Sequence, residues 1–185
     1  MKKIILLLIL VLASVCAPAR GNEVMEKIAL YIPNRLIDAL DMFSFSLGVG
    51  PTAEARLMGT RFVDVGAGAN LFCYKFYKHH NRQYGFGLEE GWYWSFVSVG
   101  EENYSMLAST SLVDKYVENR TGIPDPTTRT YDFFDGSRDY WAIGGALGFL
   151  VDGDLYIHPM EWVDFALGFL LIDIKGDDLV FDDFR

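Results

Sequence analysis

The segment FSFSLGVG, residues 43–50, places a bulky apolar side chain at every second position and a serine or glycine between them. Successive side chains of a β-strand point to opposite faces of the sheet. The segment therefore predicts a strand with one bulky face and one face of very small residues, and Pro51 is predicted to end it. The bulky face consists of Phe43, Phe45, Leu47 and Val49.

Three further segments, 63–71, 84–94 and 141–149, repeat this alternation. The repetition predicts a β-rich α+β fold built on an antiparallel sheet, in which the small face lets a helix or a second sheet approach closely. The alternative is a small outer-membrane β-barrel with the bulky residues toward lipid. A barrel needs about eight strands of roughly ten residues. Fewer are recognisable here, which favours the α+β fold.

Two short amphipathic helices are predicted to flank the sheet, at 23–40 and 159–169. In both, apolar residues recur at helical spacing, and Pro33 and Pro159 suit a first helical turn. The second helix presents Trp162, Phe165 and Phe169 on one side. This side is predicted to pack on the sheet and close the core, or alternatively to lie in a membrane interface. The acidic polar side of the helix favours packing over the membrane.

Residues 101–138 form a polar stretch between the predicted strands. The segment 105–117 is predicted to form a short helix, and GIPDPTTRT, residues 122–130, is typical of an exposed turn. We therefore treat 101–138 as a polar loop inserted in a single β-rich domain that spans 20–185.

The N-terminus, MKKIILLLILVLASVCAPAR, has the pattern of a secretory signal peptide. Lys2 and Lys3 precede an apolar run that is too short to span a bilayer. Small residues at 17–19 offer a cleavage site before Arg20. The sequence thus predicts a signal peptide over 1–19 and export to the bacterial periplasm or outer membrane.

Cys16 offers an alternative end to the signal peptide. A cysteine after the apolar run resembles the lipid-modified cysteine of bacterial lipoproteins, and more than one acyl chain gives stable anchoring. That pattern prefers a Leu-like residue at the third position before the cysteine and a small residue immediately before it. Ala13 and Val15 occupy those places. Plain cleavage is favoured, and Cys16 is kept as the candidate lipidation site.

The charge and the cysteine content exclude several classes of protein. The formal net charge is −9, which disfavours nucleic acid and anionic lipid headgroups as electrostatic partners. Cys73 is the only cysteine besides Cys16, so a disulfide framework is excluded. Cys73 lies among aromatic residues and is interpreted as a small buried residue.

No catalytic, cofactor-binding or metal-binding motif is recognisable. Glu89 and Glu90 suggest the paired carboxylates of a glycosidase, but neighbours on a strand face opposite ways. Five aspartates near the C-terminus suggest calcium, but their spacing does not match a known loop. These are Asp173, Asp177, Asp178, Asp182 and Asp183. The sequence therefore predicts no catalytic residue, no cofactor and no metal ion.

Two blocks, IPNRLIDALDMFSFSLGVG at 32–50 and DFALGFLLIDIKGDD at 164–178, resemble those of small uncharacterised exported bacterial envelope proteins, often predicted lipoproteins. The resemblance implies an envelope location and carries no catalytic residues. We expect a non-enzymatic, structural or membrane-associated envelope protein whose partners are the outer membrane or other envelope components. A small outer-membrane β-barrel is the alternative, and an envelope hydrolase that uses Glu89 or Glu90 is the third hypothesis.

Overall fold

The computed structural model describes residues 28–109, 115–170, 172–176 and 178–180. The predicted signal peptide and Cys16 lie outside the described residues. The chain divides into two compact units, one of 1–39 with 164–185 and one of 40–163. The interpretation of 20–185 as a single domain stays a prediction.

Six antiparallel strands form one sheet in the order β5-β4-β3-β2-β1-β6. The strands are β1 (Phe43–Thr60), β2 (Val63–Lys78), β3 (Tyr84–Val97), β4 (Val99–Ala108), β5 (Tyr116–Gly122) and β6 (Ile143–Ile157). The helices are α1 (Tyr31–Asp41) and α2 (Pro159–Gly168), with a short 3₁₀ helix at Arg129–Tyr131. The β-rich α+β prediction is confirmed. Within the described residues β5 and β6 are the two edges, and the sheet is not closed into a barrel.

Two predictions about strand limits are wrong. β1 continues through Pro51 to Thr60, because Pro51 lies at a register shift, where the ladder needs no N–H donor. The stretch 101–138, interpreted as a loop insert with a helix at 105–117, contains most of β4 and all of β5. Both faces of these strands carry polar residues, so the alternation that identifies the other strands is hidden.

The long strands bend at register shifts that lie at one level of the sheet. The shifts fall between Val49 and Thr52 in β1 and between Asn70 and Cys73 in β2, and Leu150 of β6 has a φ of 64°. Extra residues of this kind bend and twist a strand. A Cβ added to Gly144 would overlap the carbonyl oxygen of Leu155 on the same strand. Eleven extended residues would span roughly 36 Å, so β6 is strongly bent between Gly144 and Leu155.

The residues of the sheet are distributed in the reverse of the usual way. The small-residue face lies inside, where serines, asparagines and charged residues are buried, and the bulky face lies outside. Among the described residues no Phe, Trp, Ile or Val is buried. The buried apolar side chains are mainly tyrosines and methionines. We call the two faces the polar interior and the outer face.

The smaller unit has its own polar contacts. Arg35 on α1 forms ion pairs with Asp38 at 2.7 Å and with Asp178 at 3.0 Å. The carboxylate of Asp164 accepts a hydrogen bond of 2.8 Å from the backbone N–H of Ile174. These contacts tie the segment after α2 to the helical part of the same unit.

Candidate functional site

The outer face of four strands is an apolar surface. Its side chains on β6, β1, β2 and β3 are mostly aliphatic or aromatic, and Leu57, Leu147 and Phe149 are each about three quarters exposed, at 76%, 74% and 76%. All four tryptophans are also exposed. They are Trp92, Trp94, Trp141 and Trp162. Monomeric soluble proteins rarely expose contiguous apolar patches larger than a few hundred Å², so this surface is a candidate binding face.

Aromatic rings pack side by side at one end of this surface. The Phe76 ring lies 6.3 Å from that of Phe45 and 5.2 Å from that of Phe86, centre to centre. The three residues belong to β2, β1 and β3, so the row crosses three strands. Such cross-strand aromatic pairs stabilise a sheet by packing and here leave a continuous apolar edge exposed.

The outer face changes character at β4 and β5. Asn103 on β4 is exposed and pairs in register with Asn119 on β5, and Glu101 pairs with Thr121. Trp92 and Trp94 on β3 mark the border, because their register partners on β4 are Asn103 and Glu101. The apolar surface therefore covers β6, β1, β2 and β3 and becomes mixed at β4 and β5, where exposed Val99, Leu107 and Val117 alternate with polar residues.

The helices also expose their apolar residues. On α1, Ile32, Leu36 and Leu40 are exposed, whereas Asn34, Arg35 and Asp38 are buried. On α2, Trp162 and Phe169 are exposed and Phe165 is half-buried. The Trp162 ring nevertheless lies 5.8 Å from that of Phe43 on β1, centre to centre, and packing of the apolar sides of both helices on the sheet stays a prediction.

The polar interior contains two ion-pair clusters. In the first, the Lys75 ammonium on β2 contacts four carboxylates: Glu89 at 2.7 Å, Glu54 and Asp154 at 3.6 Å each, and Asp152. We call these five residues the Lys75 cluster. Burial raises the pKa of Glu54 to about 8 against the opposing effect of Lys75, and Asp152 and Glu89 add to the increase. The Glu54 carboxyl is therefore mostly protonated at pH 7.

In the second cluster, the arginine cluster, positively charged groups outnumber the carboxylates. Arg61, Arg120 and Arg138 surround the carboxylates of Glu102 and Glu118. Arg61 lies 2.5 Å from Glu102, and Arg138 lies 2.7 Å from the same carboxylate. Burial alone would raise the pKa of both glutamates, but the guanidinium groups outweigh it, and both pKa values fall below the ordinary range.

A cavity of about 80 Å³ lies in the polar interior and reaches both clusters. Residues of both clusters line it, together with three histidines and Ser44. Ser44 Oγ lies 2.9 Å from His158 Nε2, and His158 Nδ1 lies 2.7 Å from Asp139 Oδ2. Ser44 lies at the start of β1, His158 directly follows β6, and Asp139 lies in the loop before β6.

The residues singled out in the sequence lie apart from one another. Glu89 is in the interior and accepts a hydrogen bond of 2.7 Å from Tyr104, whereas Glu90 is exposed on the other face. The two carboxylates therefore do not form a pair. Cys73 is fully buried, as interpreted from the sequence, and burial raises its pKa to about 11.

Two of the C-terminal aspartates lie in the described residues and have local roles. Asp173 accepts a hydrogen bond from the backbone N–H of Gly176, and Asp178 pairs with Arg35. Asp177, Asp182 and Asp183 lie outside the described residues. Where the structure describes the chain, no three His, Cys, Asp or Glu side chains are grouped to hold a metal ion.

In the described part of the chain, the helices are too short or too polar to cross a membrane. No family model, curated protein or solved structure matches the chain. Function is therefore argued from the outer face and the polar interior themselves.

Proposed function

We propose that this chain is an exported cell-envelope protein that attaches to a lipid bilayer through its outer face. One observation carries the proposal: the sheet exposes its bulky apolar side chains and buries its charged ones. The signal-like N-terminus is consistent with export. We infer that its role in the envelope depends on this attachment.

The energetics favour lipid as the partner of this surface. Burying one large apolar side chain is worth about 1.5–3 kcal/mol, and the outer face exposes such residues on four adjacent strands. The four exposed tryptophans fit the same environment, because Trp is enriched where hydrocarbon meets the headgroups. Acyl chains cover an apolar surface without needing a complementary shape.

The two parts of the outer face suggest an orientation. Leu147 and Phe149 lie on the apolar part, whereas Asn119 and Thr121 lie on exposed β5. Polar side chains are costly in hydrocarbon. We therefore place β6, β1, β2 and β3 toward the acyl chains and β4 and β5 toward headgroups or water.

Vesicle binding tests the proposal. The full chain is mixed with phosphatidylcholine vesicles whose acyl chains carry bromine, which quenches nearby tryptophans. We expect strong quenching that persists in 1 M NaCl, because the net charge of −9 gives no electrostatic attraction to lipid. Failure to float with the vesicles, or quenching no greater than with unbrominated lipid, would refute attachment through this face.

A pair of matched variants locates the contact. Leu147→Lys lies on the apolar part, and Thr121→Lys introduces the same charge on β5. Leu147→Lys loses the transfer free energy of the leucine side chain, about 1.5–3 kcal/mol, so it should weaken partitioning into vesicles by at least about tenfold. Thr121→Lys should leave the partition coefficient within about threefold of the wild-type value. Equal effects of the two variants would contradict the orientation.

Extraction of washed envelopes tests the location and Cys16 together. We expect the protein to resist alkaline carbonate and urea, at the bare mass that begins at Arg20. An added lipid mass would assign the anchoring to Cys16. Complete extraction at the bare mass would overturn the proposed attachment.

A further inference from the structure

Ser44, His158 and Asp139 form a continuous hydrogen-bonded chain. The neutral imidazole satisfies both contacts when Nδ1–H donates to the Asp139 carboxylate at 2.7 Å and Nε2 accepts the Ser44 hydroxyl proton at 2.9 Å. Ser44 and His158 are 3% and 2% exposed. A nucleophile bonded to a base that is itself bonded to an orienting carboxylate is the arrangement required for serine-type acyl transfer.

The surrounding structure holds the three groups in place. The other carboxylate oxygen of Asp139 accepts the backbone N–H of Trp141 at 2.8 Å. The backbone N–H of His158 donates to the carbonyl of Met42 at 2.9 Å. Ser44 is fixed by its register opposite Tyr156 of β6. Each member is thus positioned by backbone contacts.

We propose that Ser44, His158 and Asp139 are the nucleophile, the general base and the orienting carboxylate of a site that hydrolyses esters with a short acyl group. This inference goes beyond membrane attachment and stands against the non-enzymatic role predicted from the sequence. It is also distinct from the hydrolase hypothesis based on Glu89 or Glu90, because neither carboxylate takes part.

The cavity sets the class of substrate. All three residues line the cavity of about 80 Å³. A single water needs about 10–15 Å³ measured in the same way, so an acetyl-sized or slightly larger acyl group fits, whereas a long acyl chain does not. Arg61 lines the same cavity, and its Nη1 makes no hydrogen bond in the described structure, with Asp64 at 3.6 Å as its ionic neighbour. Arg61 thus places a buried positive charge on the wall of the same cavity.

The chemistry balances with water as the second reactant. Ser44 Oγ bonds to the ester carbonyl carbon while its proton passes to His158 Nε2. The bond to the leaving alkoxide oxygen then breaks, and His158 returns the proton to release the alcohol. Water attacks the acyl-serine, gives a proton to His158, and the carboxylic acid leaves as Ser44 recovers its proton.

Ser46 provides a matched control in the same strand. It lies two residues from Ser44 on the same face, is 1% exposed and donates to a carboxylate, that of Asp154. The described hydrogen bonds give Ser46 no histidine partner. The proposal therefore predicts that only Ser44 is a nucleophile, although both serines are buried and hydrogen-bonded.

Methanesulfonyl fluoride is the appropriate probe, because it is small and its sulfur is attacked by an activated serine with loss of fluoride. The full chain in detergent is incubated with the reagent and analysed by peptide mass. We expect a methanesulfonyl adduct on Ser44. Ser44→Ala abolishes the adduct, His158→Ala lowers the labelling rate roughly 100-fold or more, and Ser46→Ala leaves it unchanged.

Asp139→Asn tests the orienting role. We expect it to lower the labelling rate at least about tenfold, with an unchanged urea midpoint of unfolding, which a purely structural contact would not give. The wild-type chain should hydrolyse p-nitrophenyl acetate faster than p-nitrophenyl octanoate. The variants should lower the rate of acetate hydrolysis in the same order as they lower the labelling rate. The proposal is overturned if the folded wild-type chain is not labelled, whether or not the variants fold. It is also overturned if Ser44→Ala is labelled as much as the wild type.

Discussion

The Lys75 cluster and the arginine cluster lie in the same polar interior but carry opposite charge excesses. One ammonium faces four carboxylates in the first, and three guanidinium groups face two carboxylates in the second. The pKa of Glu54 in the first is raised to about 8, whereas the pKa of Glu118 in the second is lowered. Burial affects both glutamates in the same direction, so the local balance of charge decides the outcome.

The largest effect is expected from Lys75→Met. The variant leaves the carboxylates of the Lys75 cluster buried without a cation, and breaking a buried ion pair in this way costs about 3–5 kcal/mol. Urea unfolding followed by circular dichroism measures the free energy of unfolding. Arg120→Met is the control, because Arg61 and Arg138 remain beside Glu102. Equal losses for the two variants would show that charge excess does not distinguish the clusters.

Glu118→Gln should have the next largest effect. The Glu118 carboxylate accepts hydrogen bonds from Tyr131 and Arg138, and an amide of the same shape leaves part of this bonding unmet, at a cost of about 1–3 kcal/mol at pH 7. Glu101→Gln, on the outer side of β4, is the matched control and should change the free energy of unfolding by less than about 0.5 kcal/mol. A stabilised Glu118→Gln protein would contradict the lowered pKa.

The pH dependence of stability sharpens the comparison, because the raised pKa of Glu54 gives the free energy of unfolding a slope above pH 4.5. Glu54 keeps its proton in the folded state up to about pH 8, whereas the carboxyl of the unfolded chain loses it near the ordinary glutamate pKa of 4.5. The unfolded state therefore binds fewer protons, and this group makes stability fall with pH by up to about 1.4 kcal/mol per unit. We expect a fall between about pH 4.5 and pH 8.

Glu54→Gln identifies the group responsible for that fall. The variant mimics the protonated carboxyl, so it should change the free energy of unfolding by less than about 1 kcal/mol near pH 4.5 and flatten the slope above that pH. Glu118→Gln should keep the slope, because a carboxyl with a lowered pKa contributes its change below about pH 4.5. An unchanged slope in Glu54→Gln would show that another group causes the fall.

The sequence predicts the sheet well where one face is bulky and the other small. The alternations that begin at Phe43, Val63, Tyr84 and Trp141 identify parts of four strands and their two faces correctly. Which face is inside does not follow from alternation, because a period of two is the same in either orientation. A signal was nevertheless present, since Glu54, Arg56, Asp64 and Lys75 share the small-residue face.

The interior site could not be predicted from local pattern. Ser44 and His158 are 114 residues apart, and His158 and Asp139 are 19 apart. No short motif contains the three residues, and their approach depends on the pairing of β1 with β6. The strands of the polar stretch were missed for a related reason: Glu102 and Glu118 look like loop residues until Arg61 and Arg138 are placed beside them.

The exposed outer face has a thermodynamic consequence. Unfolding raises the heat capacity when it exposes apolar area and lowers it when it exposes polar area. Here much of the apolar area is already exposed in the folded chain, and the buried groups are largely charged. We expect a heat-capacity change on unfolding well below the usual value of about 12–15 cal/mol/K per residue. The stability curve of the lipid-free protein is then flat, and its unfolding responds weakly to temperature.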